Sequence, residues 1–120
     1  MKTTEFDEML VLLKQATQSC KLKWSVANNS KFSFSAKVNG CTIILSNFYD
    51  TVGMANKASI EMLNASGELF KKNVYSQSAK PERYDSLKEL FDLIKDQYYK
   101  ISESEQLILE GLRKLTDDKD

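Results

Sequence analysis

The chain of 120 residues is 42% hydrophobic and 28% charged, proportions that are typical of a folded globular domain and argue against disorder. Its 17 basic and 17 acidic residues cancel, so no bulk charge attracts nucleic acid or an anionic membrane. The absence of histidine excludes Ser-His and Cys-His nucleophile pairs and histidine metal ligands.

The other residues that could carry chemistry form no recognisable motif. Cys20 and Cys41 are too few for a zinc site, and we expect both to be buried, reduced thiols. The four glycines form neither a P-loop nor a dinucleotide-binding pattern. We therefore expect no catalytic residue, no metal and no cofactor, although an enzyme that uses carboxylates or lysines needs no local motif.

The segment "MKTTEFDEML" lacks the apolar stretch of a signal peptide, and no run reaches the roughly 18 apolar residues of a membrane helix. These features predict a cytoplasmic protein with no membrane partner. The length predicts a single domain over residues 1–120, with a frayed acidic tail at about residues 116–120.

The first predicted element is helix 1, from about Glu5 to Cys20, with Thr4 as its N-cap. One face of this helix is apolar and is predicted to be buried (Phe6, Met9, Leu10, Leu13, Thr17, Cys20). Val11 points away from that face. After helix 1 the period of the apolar residues changes to two, which predicts strand 1 (Leu22, Trp24, Val26) and strand 2 (Phe32, Phe34, Ala36, Val38), with these side chains facing inward.

Strand 2 ends in "AKVNGCTIIL", in which Asn39-Gly40 is a strong signal for a two-residue hairpin. This loop length places Val38 opposite Cys41, and the register then pairs Ala36 with Ile43 and Phe34 with Leu45 on one face (with Lys37 opposite Thr42, Ser35 opposite Ile44 and Ser33 opposite Ser46 on the other).

The next segment, "NFYDTVGMAN" at residues 47–56, has no clear period and is predicted to be a long loop that carries Phe48, Tyr49, Val52 and Met54. Aromatic residues and methionine are enriched at protein interfaces, so the loop is a candidate interaction surface. The open alternative is that it folds back over one end of the sheet. Two further strands are predicted at residues 58–62 and 68–75.

Helix 2 is predicted to begin near Asp85, with an apolar stripe that continues to Ile101 (Leu87, Leu90, Phe91, Ile94, Tyr98, Ile101). Ser102 and Glu105 form a capping-box pattern, so we expect helix 3 to start there and to run to about Leu115. The order of elements predicts an α+β fold, with an N-terminal helix, an antiparallel four- or five-stranded meander and two C-terminal helices. Helices 1 and 2 are expected to cover one face of the sheet.

Four segments of the chain, taken together with this order of helices and strands, are similar to segments of other proteins: "LLKQATQSCKLKW", "FSFSAKVNGCTIILS", "ASIEMLNASGEL" and "LKELFDLIKDQYYKISESEQLILEGL". They resemble a group of small bacterial proteins of unknown function, which share a leucine-rich helix, an L-x-W strand, a short hairpin and a C-terminal helix pair. The resemblance implies an α+β domain of bacterial or mobile-element origin, and it supplies no catalytic residue.

Helix 3 carries more apolar surface than one core face requires. At about 100° per residue, its large apolar side chains spread over roughly 200° of the helix (Leu107, Ile108, Leu109, Leu112, Leu115). Such a helix lies between two layers of its own domain or contacts another chain. Leu107 and Leu109, together with Phe48, Tyr49 and Met54 of the loop, are the candidate interaction surface.

Two charged patterns are candidate binding sites. Lys21, Lys23 and Lys37 fall on the polar side of the predicted strands, where a basic sheet face would contact phosphates, although protection of the sheet against edge pairing also explains them. An acidic row on helix 2 suits a metal or a basic partner but is also typical of a solvated face (Asp85, Glu89, Asp92, Asp96).

These patterns favour a non-enzymatic protein-protein interaction module that binds another protein or itself, for example as a homodimer through helix 3. Nucleic-acid binding through the basic sheet face and an enzyme without a recognisable motif remain the alternatives.

Overall fold

A computed structural model describes residues 1–117 and confirms the predicted α+β fold. Its elements in chain order are α1 (Thr3–Gln18), β1 (Ser25–Val26), β2 (Ser33–Val38), β3 (Cys41–Asp50), β4 (Ala55–Leu63), β5 (Leu69–Ser76), α2 (Pro81–Tyr99) and α3 (Ile101–Asp117). All five strands pair antiparallel with their sequence neighbours in one meander. Of the tail predicted at residues 116–120, the first two residues complete α3, and residues 118–120 lie outside the described residues.

The hairpin between β2 and β3 has the predicted register. Val38 lies opposite Cys41, and the partners continue in step to Ser33 and Ser46. Asn39 and Gly40 have φ angles of +52° and +85°, the left-handed values that a two-residue turn needs to match the twist of the strands.

The segment at residues 47–56 is not the predicted long loop. Residues 47–50 continue β3, residues 55 and 56 begin β4, and only residues 51–54 form the turn between them. The hydrogen-bonded pairing of β3 and β4 therefore extends beyond the residues in which apolar and polar side chains alternate. The alternation ends where both faces of the hairpin reach solvent.

Helix α1 begins and ends two residues before its predicted bounds, and its N-cap is Lys2 instead of Thr4. The N–H of Cys20 donates to Thr17 O and that of Lys21 to Ala16 O, at 3.0 Å each, which is the Schellman pattern of a helix end. Cys20 occupies the left-handed position of this motif with φ +58° and is exposed, so the prediction of a buried thiol is wrong. Cys41, in the last pair before the β2–β3 turn, is half-buried.

Three other predicted boundaries differ. Strand β1 comprises only Ser25 and Val26, because Trp24 points back to α1 and its Nε1 donates to Thr17 Oγ1 at 3.0 Å. Helix α2 starts at Pro81, four residues before Asp85, since proline suits the first helical position. Phe32 precedes β2 and is 59% exposed, which overturns its predicted inward orientation.

The core lies between one face of the sheet and the helices. Its buried side chains come from α1, from the segment that follows it, from the sheet and from α2 (Phe6, Leu13, Trp24, Phe34, Ala36, Ile43, Leu45, Ala58, Ile60, Met62, Tyr84, Leu87, Leu90, Phe91, Ile94). Helix α2 packs on β3, β4 and β5, and α1 packs beside α2.

Helices α1 and α2 run parallel, as the contacts between them show. Arg83 Nη1 lies 2.5 Å from Asp7 Oδ1 near the start of both helices, and Lys14 pairs with Glu89 farther along. Gln97 Nε2 donates to Thr17 O at 2.8 Å near their ends. The C-termini of α1 and α2 therefore lie at the same end of the molecule.

Candidate functional site

Helix α3 is joined to α2 by a single residue. Lys100 takes up the left-handed conformation, with φ +51° and ψ +46°, and so ends α2. Asp96 Oδ1 accepts hydrogen bonds from the N–H (3.0 Å) and the Oγ (2.7 Å) of Ser102, which caps the start of α3. Ser102 thus bonds to Asp96, and the capping box predicted with Glu105 is not formed. This junction holds α3 at an angle to α2, which is its neighbour in the fold.

No residue of α3 is buried, although the helix is strongly amphipathic. Ile101 at its start is half-buried, and its other large apolar side chains are all exposed (Leu107, Ile108, Leu109, Leu112, Leu115). At about 100° per residue, Ile108, Leu112 and Leu115 lie within a narrow sector, which we call the α3 stripe, and Leu107 and Leu109 flank it. The opposite side of the helix is polar (Glu103, Gln106, Glu110, Arg113, Lys114).

The dimensions of the molecule agree with a helix that projects from the domain. The extents are 64 × 35 × 28 Å and the radius of gyration is 17.6 Å, against about 14 Å for a compact chain of this length. The alternative in which α3 lies between two layers of its own domain is therefore not found.

The other part of the predicted interaction surface is the tip of the β3–β4 hairpin. Tyr49, Val52 and Met54 are exposed there, and Phe48 is half-buried. Phe48 and Tyr49 border a cavity of about 560 Å³ whose other walls come from the segment before β2 and from α2, with no lining residue from α3. The hairpin tip and the α3 stripe are thus two separate surfaces.

The carboxylate of Asp50 is hydrogen-bonded to other residues of this hairpin tip. Lys57 Nζ donates to Asp50 Oδ2 at 2.6 Å, and the N–H of Val52 donates to Asp50 Oδ1 at 3.1 Å. The hydrogen bond from Lys57, with those from the backbone of Gly53 and Val52, holds the pKa of Asp50 below its ordinary value. The exposed apolar residues of the tip are therefore held by a defined turn.

An apolar groove that was not predicted runs along α1. It has a volume of about 570 Å³ and lies between α1 and the end of the sheet at the β2–β3 turn. Its lining comes from α1 and the segment after it, from the β2–β3 hairpin and from β4 and β5 (Met1, Glu5, Glu8, Met9, Leu12, Leu13, Ala16, Lys21, Leu22, Val38, Cys41, Thr42, Ile43, Met62, Phe70). We call this feature the α1 groove. Leu12, which lies outside the predicted apolar face of helix 1, was the signal for it in the sequence.

The structure brings together the three lysines of the predicted basic face. Lys21, Lys23 and Lys37 are exposed and line one depression of about 460 Å³ beside β1 and β2. No aromatic side chain is among the residues that line it, whereas sheets that bind single-stranded RNA stack bases on aromatic rings. Lys21 and Lys23 belong to the segment between α1 and β1 and not to a strand.

The acidic residues of α2 do not form one site, because three of them take part in separate contacts. Glu89 pairs with Lys14, Asp92 Oδ2 lies 2.7 Å from Lys88 Nζ, and Asp96 caps α3. Within residues 1–117, no three histidine, cysteine, aspartate or glutamate side chains are grouped to hold a metal ion. No helix of this part of the chain has the length and apolar character needed to cross a bilayer.

No family model, curated protein or solved structure matches the chain.

Proposed function

We propose that the protein is a non-enzymatic interaction module that presents the α3 stripe to a protein partner. The observation that supports this proposal is a 17-residue helix in which five of the six large apolar side chains are exposed and none is buried. Exposed apolar patches of this kind mark interaction sites on folded proteins. Amphipathic helices bind partners by placing residues at positions i, i+4 and i+7 in an apolar groove, and Ile108, Leu112 and Leu115 have this spacing.

The energetics of α3 also favour a partner. An isolated helix of about 15 residues is only marginally stable in water, because helix stability comes mostly from the packing of an apolar face. Helix α3 has the Asp96 cap and a neighbour in α2, but its stripe packs on nothing within residues 1–117. A partner that covers the stripe would provide the missing packing.

Site-specific photocrosslinking in the cells that make the protein tests this proposal. A photoreactive phenylalanine analogue replaces Ile108 in the stripe or, as a matched control, Gln106 on the polar side of α3. We expect position 108 to crosslink to a protein at defined stoichiometry and position 106 not to do so. Equal crosslinking from both positions, or none from either, would contradict the proposal.

A second candidate function is nucleic-acid binding at the depression lined by Lys21, Lys23 and Lys37, and the convergence of these lysines favours it. Binding through phosphates weakens steeply with salt. Charge reversal of Lys23 and Lys37 to glutamate should abolish such binding to a single-stranded oligonucleotide, and binding that survives both changes would reject this function.

A further inference from the structure

The α1 groove is an apolar surface of the size that a helix covers. Its floor is formed by buried or half-buried residues such as Leu13, Ile43 and Met62, and its rim by exposed ones such as Leu12 and Phe70. The residues of α1 that line it run from Glu5 to Ala16, a length of about 16 Å at 1.5 Å per residue, and Met1 lines it ahead of the helix. The apolar side of α3, from Ile101 to Leu115, is about 21 Å long by the same measure.

The α3 of the same chain cannot lie along this groove. On α1, the residues that contact α2 (Asp7, Lys14) and those that line the groove (Glu5, Leu12, Ala16) are roughly 170° apart at 100° per residue. Helix α2 and the groove therefore flank α1 on opposite sides. Lys100 alone connects α2 to α3, and one residue spans about 3.5 Å, whereas neighbouring helix axes are about 8–10 Å apart.

From these features, and on the basis of the proposed function, we infer that the α1 groove binds the α3 stripe of a second copy of this chain. Each copy provides one helix and one groove, and a reciprocal contact about a twofold axis would fill both grooves. The partner named under the proposed function is thus the protein itself.

The charges at the two ends of the groove determine the direction of the bound helix. Glu5 and Glu8 lie at one end and Lys21 at the other. On α3, Glu105 precedes the stripe and lies about 50° from its centre, whereas Arg113 and Lys114 lie on the polar side near the C-terminal end of the stripe. None of these charged groups forms an ion pair within residues 1–117.

An α3 that lies antiparallel to α1 places Glu105 at the basic end of the groove. Glu105 then approaches Lys21, and Arg113 and Lys114, on the side of α3 that faces solvent, lie at the same end of the groove as Glu5 and Glu8. In the same orientation, the negative C-terminal end of α3 lies beside the positive N-terminal end of α1. The parallel orientation places Glu105 beside Glu5 and Glu8 instead.

Two disruptive variants and one control test this inference. Leu112→Glu damages the stripe, and Leu12→Glu damages the groove. Val11→Glu is the control, because Val11 is the neighbouring residue on α1 and is 55% exposed, as is Leu12, but does not line the groove. In sedimentation experiments we expect the first two changes to raise the dissociation constant of the dimer at least about 30-fold, and the control to change it less than about twofold.

Mixing the two disruptive variants provides the most specific test. The Leu12→Glu chain has an intact α3 and the Leu112→Glu chain an intact groove, so the mixed dimer keeps one undamaged contact. Native mass spectrometry with one variant labelled with ¹⁵N should therefore detect more mixed dimer than either homodimer.

Each other outcome overturns the inference in a recognisable way. If Leu112→Glu disrupts the dimer and Leu12→Glu does not, α3 pairs with α3, which contradicts docking in the groove but leaves the proposed function standing. If the mixed dimer is no stronger than the homodimers, the contact is not between stripe and groove. If the wild-type chain stays monomeric at millimolar concentration, the second copy is rejected, and crosslinks from position 108 to a different protein would then separate this failure from that of the proposed function.

Discussion

Helices α2 and α3 are consecutive and nearly equal in length, at 19 and 17 residues, but their apolar residues have opposite environments. Helix α2 buries five side chains against the sheet and α1, whereas α3 buries none. Both helices have apolar residues at helical spacing, so the pattern alone does not distinguish a helix that completes a core from one that is available to a partner. The distinction depends on the junction at Lys100, which directs α3 away from the sheet.

The largest expected difference between the two helices is in the cost of removing an apolar side chain. Ile94 of α2 is 1% exposed, so Ile94→Ala should lower the free energy of unfolding by about 2–5 kcal/mol through lost burial and a cavity. Leu112→Ala in α3 should change it by less than about 0.5 kcal/mol in the dilute monomer. Urea unfolding followed by Trp24 fluorescence measures both, and similar losses would mean that α3 belongs to the core.

Thr17 and Thr116 allow the same comparison of a buried with an exposed site for a polar side chain. Thr17 Oγ1 donates to Leu13 O at 2.7 Å and accepts from Trp24 Nε1, in the core. Thr116 Oγ1 donates to Leu112 O at 3.2 Å, on the exposed end of α3. Thr17→Val leaves the buried indole N–H without its acceptor and should cost about 1–3 kcal/mol, whereas Thr116→Val should be neutral within about 0.5 kcal/mol.

The same urea titrations measure both threonine variants. A neutral Thr17→Val would show that the link between α1 and Trp24 does not contribute to stability, which would remove one of the contacts that position α1 beside its groove.

A substitution at the junction between α2 and α3 should change the free energy of unfolding by a smaller amount. Lys100 has a left-handed conformation that glycine adopts without steric cost, so Lys100→Gly should raise the free energy of unfolding by up to about 1 kcal/mol. Lys95→Gly, at an exposed position within α2, is the control and should lower it by about 1 kcal/mol. If both changes destabilise the protein equally, Lys100 does not end α2 as described.

The smallest expected effect concerns the hairpin tip and depends on pH. Because the pKa of Asp50 is held below its ordinary value in the folded chain, mainly by the hydrogen bond from Lys57, the ionised carboxylate stabilises the fold. This contribution is complete above the unfolded pKa and is lost as the pH falls through the folded pKa. Asp50→Asn should therefore reduce the loss of stability in acid relative to the wild type, and an unchanged acid limb in thermal unfolding would contradict this contribution.

The sequence predicted those parts of the fold that local chemistry determines. Asn39-Gly40 specifies a two-residue turn, and the turn together with the alternation specifies the register of β2 and β3. The end of α1 and the exposure of Cys20 differ from the prediction, because the Schellman motif uses a cysteine in the left-handed position where glycine is the usual signal. The β3–β4 hairpin was mistaken for a loop because its outer end lacks a buried face.

The sequence predicts the exposed apolar surface of α3 but not the α1 groove, and the reason is physical. The excess apolar surface of α3 follows from its own residues, so it could be identified before the structure. The α1 groove consists of residues from four distant parts of the chain, and Leu12 alone hinted at it. The opposite positions of α2 and the groove on α1 depend on tertiary packing, which no local pattern contains.

The central claim is that the α3 stripe binds the α1 groove of a second copy, and the solution mass of the wild-type protein tests it most directly. Light scattering should be measured from low micromolar to millimolar concentration, at low and at high salt. The account predicts a rise from 13.7 kDa to twice that mass that persists in high salt, because apolar contacts dominate the interface. A mass of 13.7 kDa under all conditions would contradict the claim.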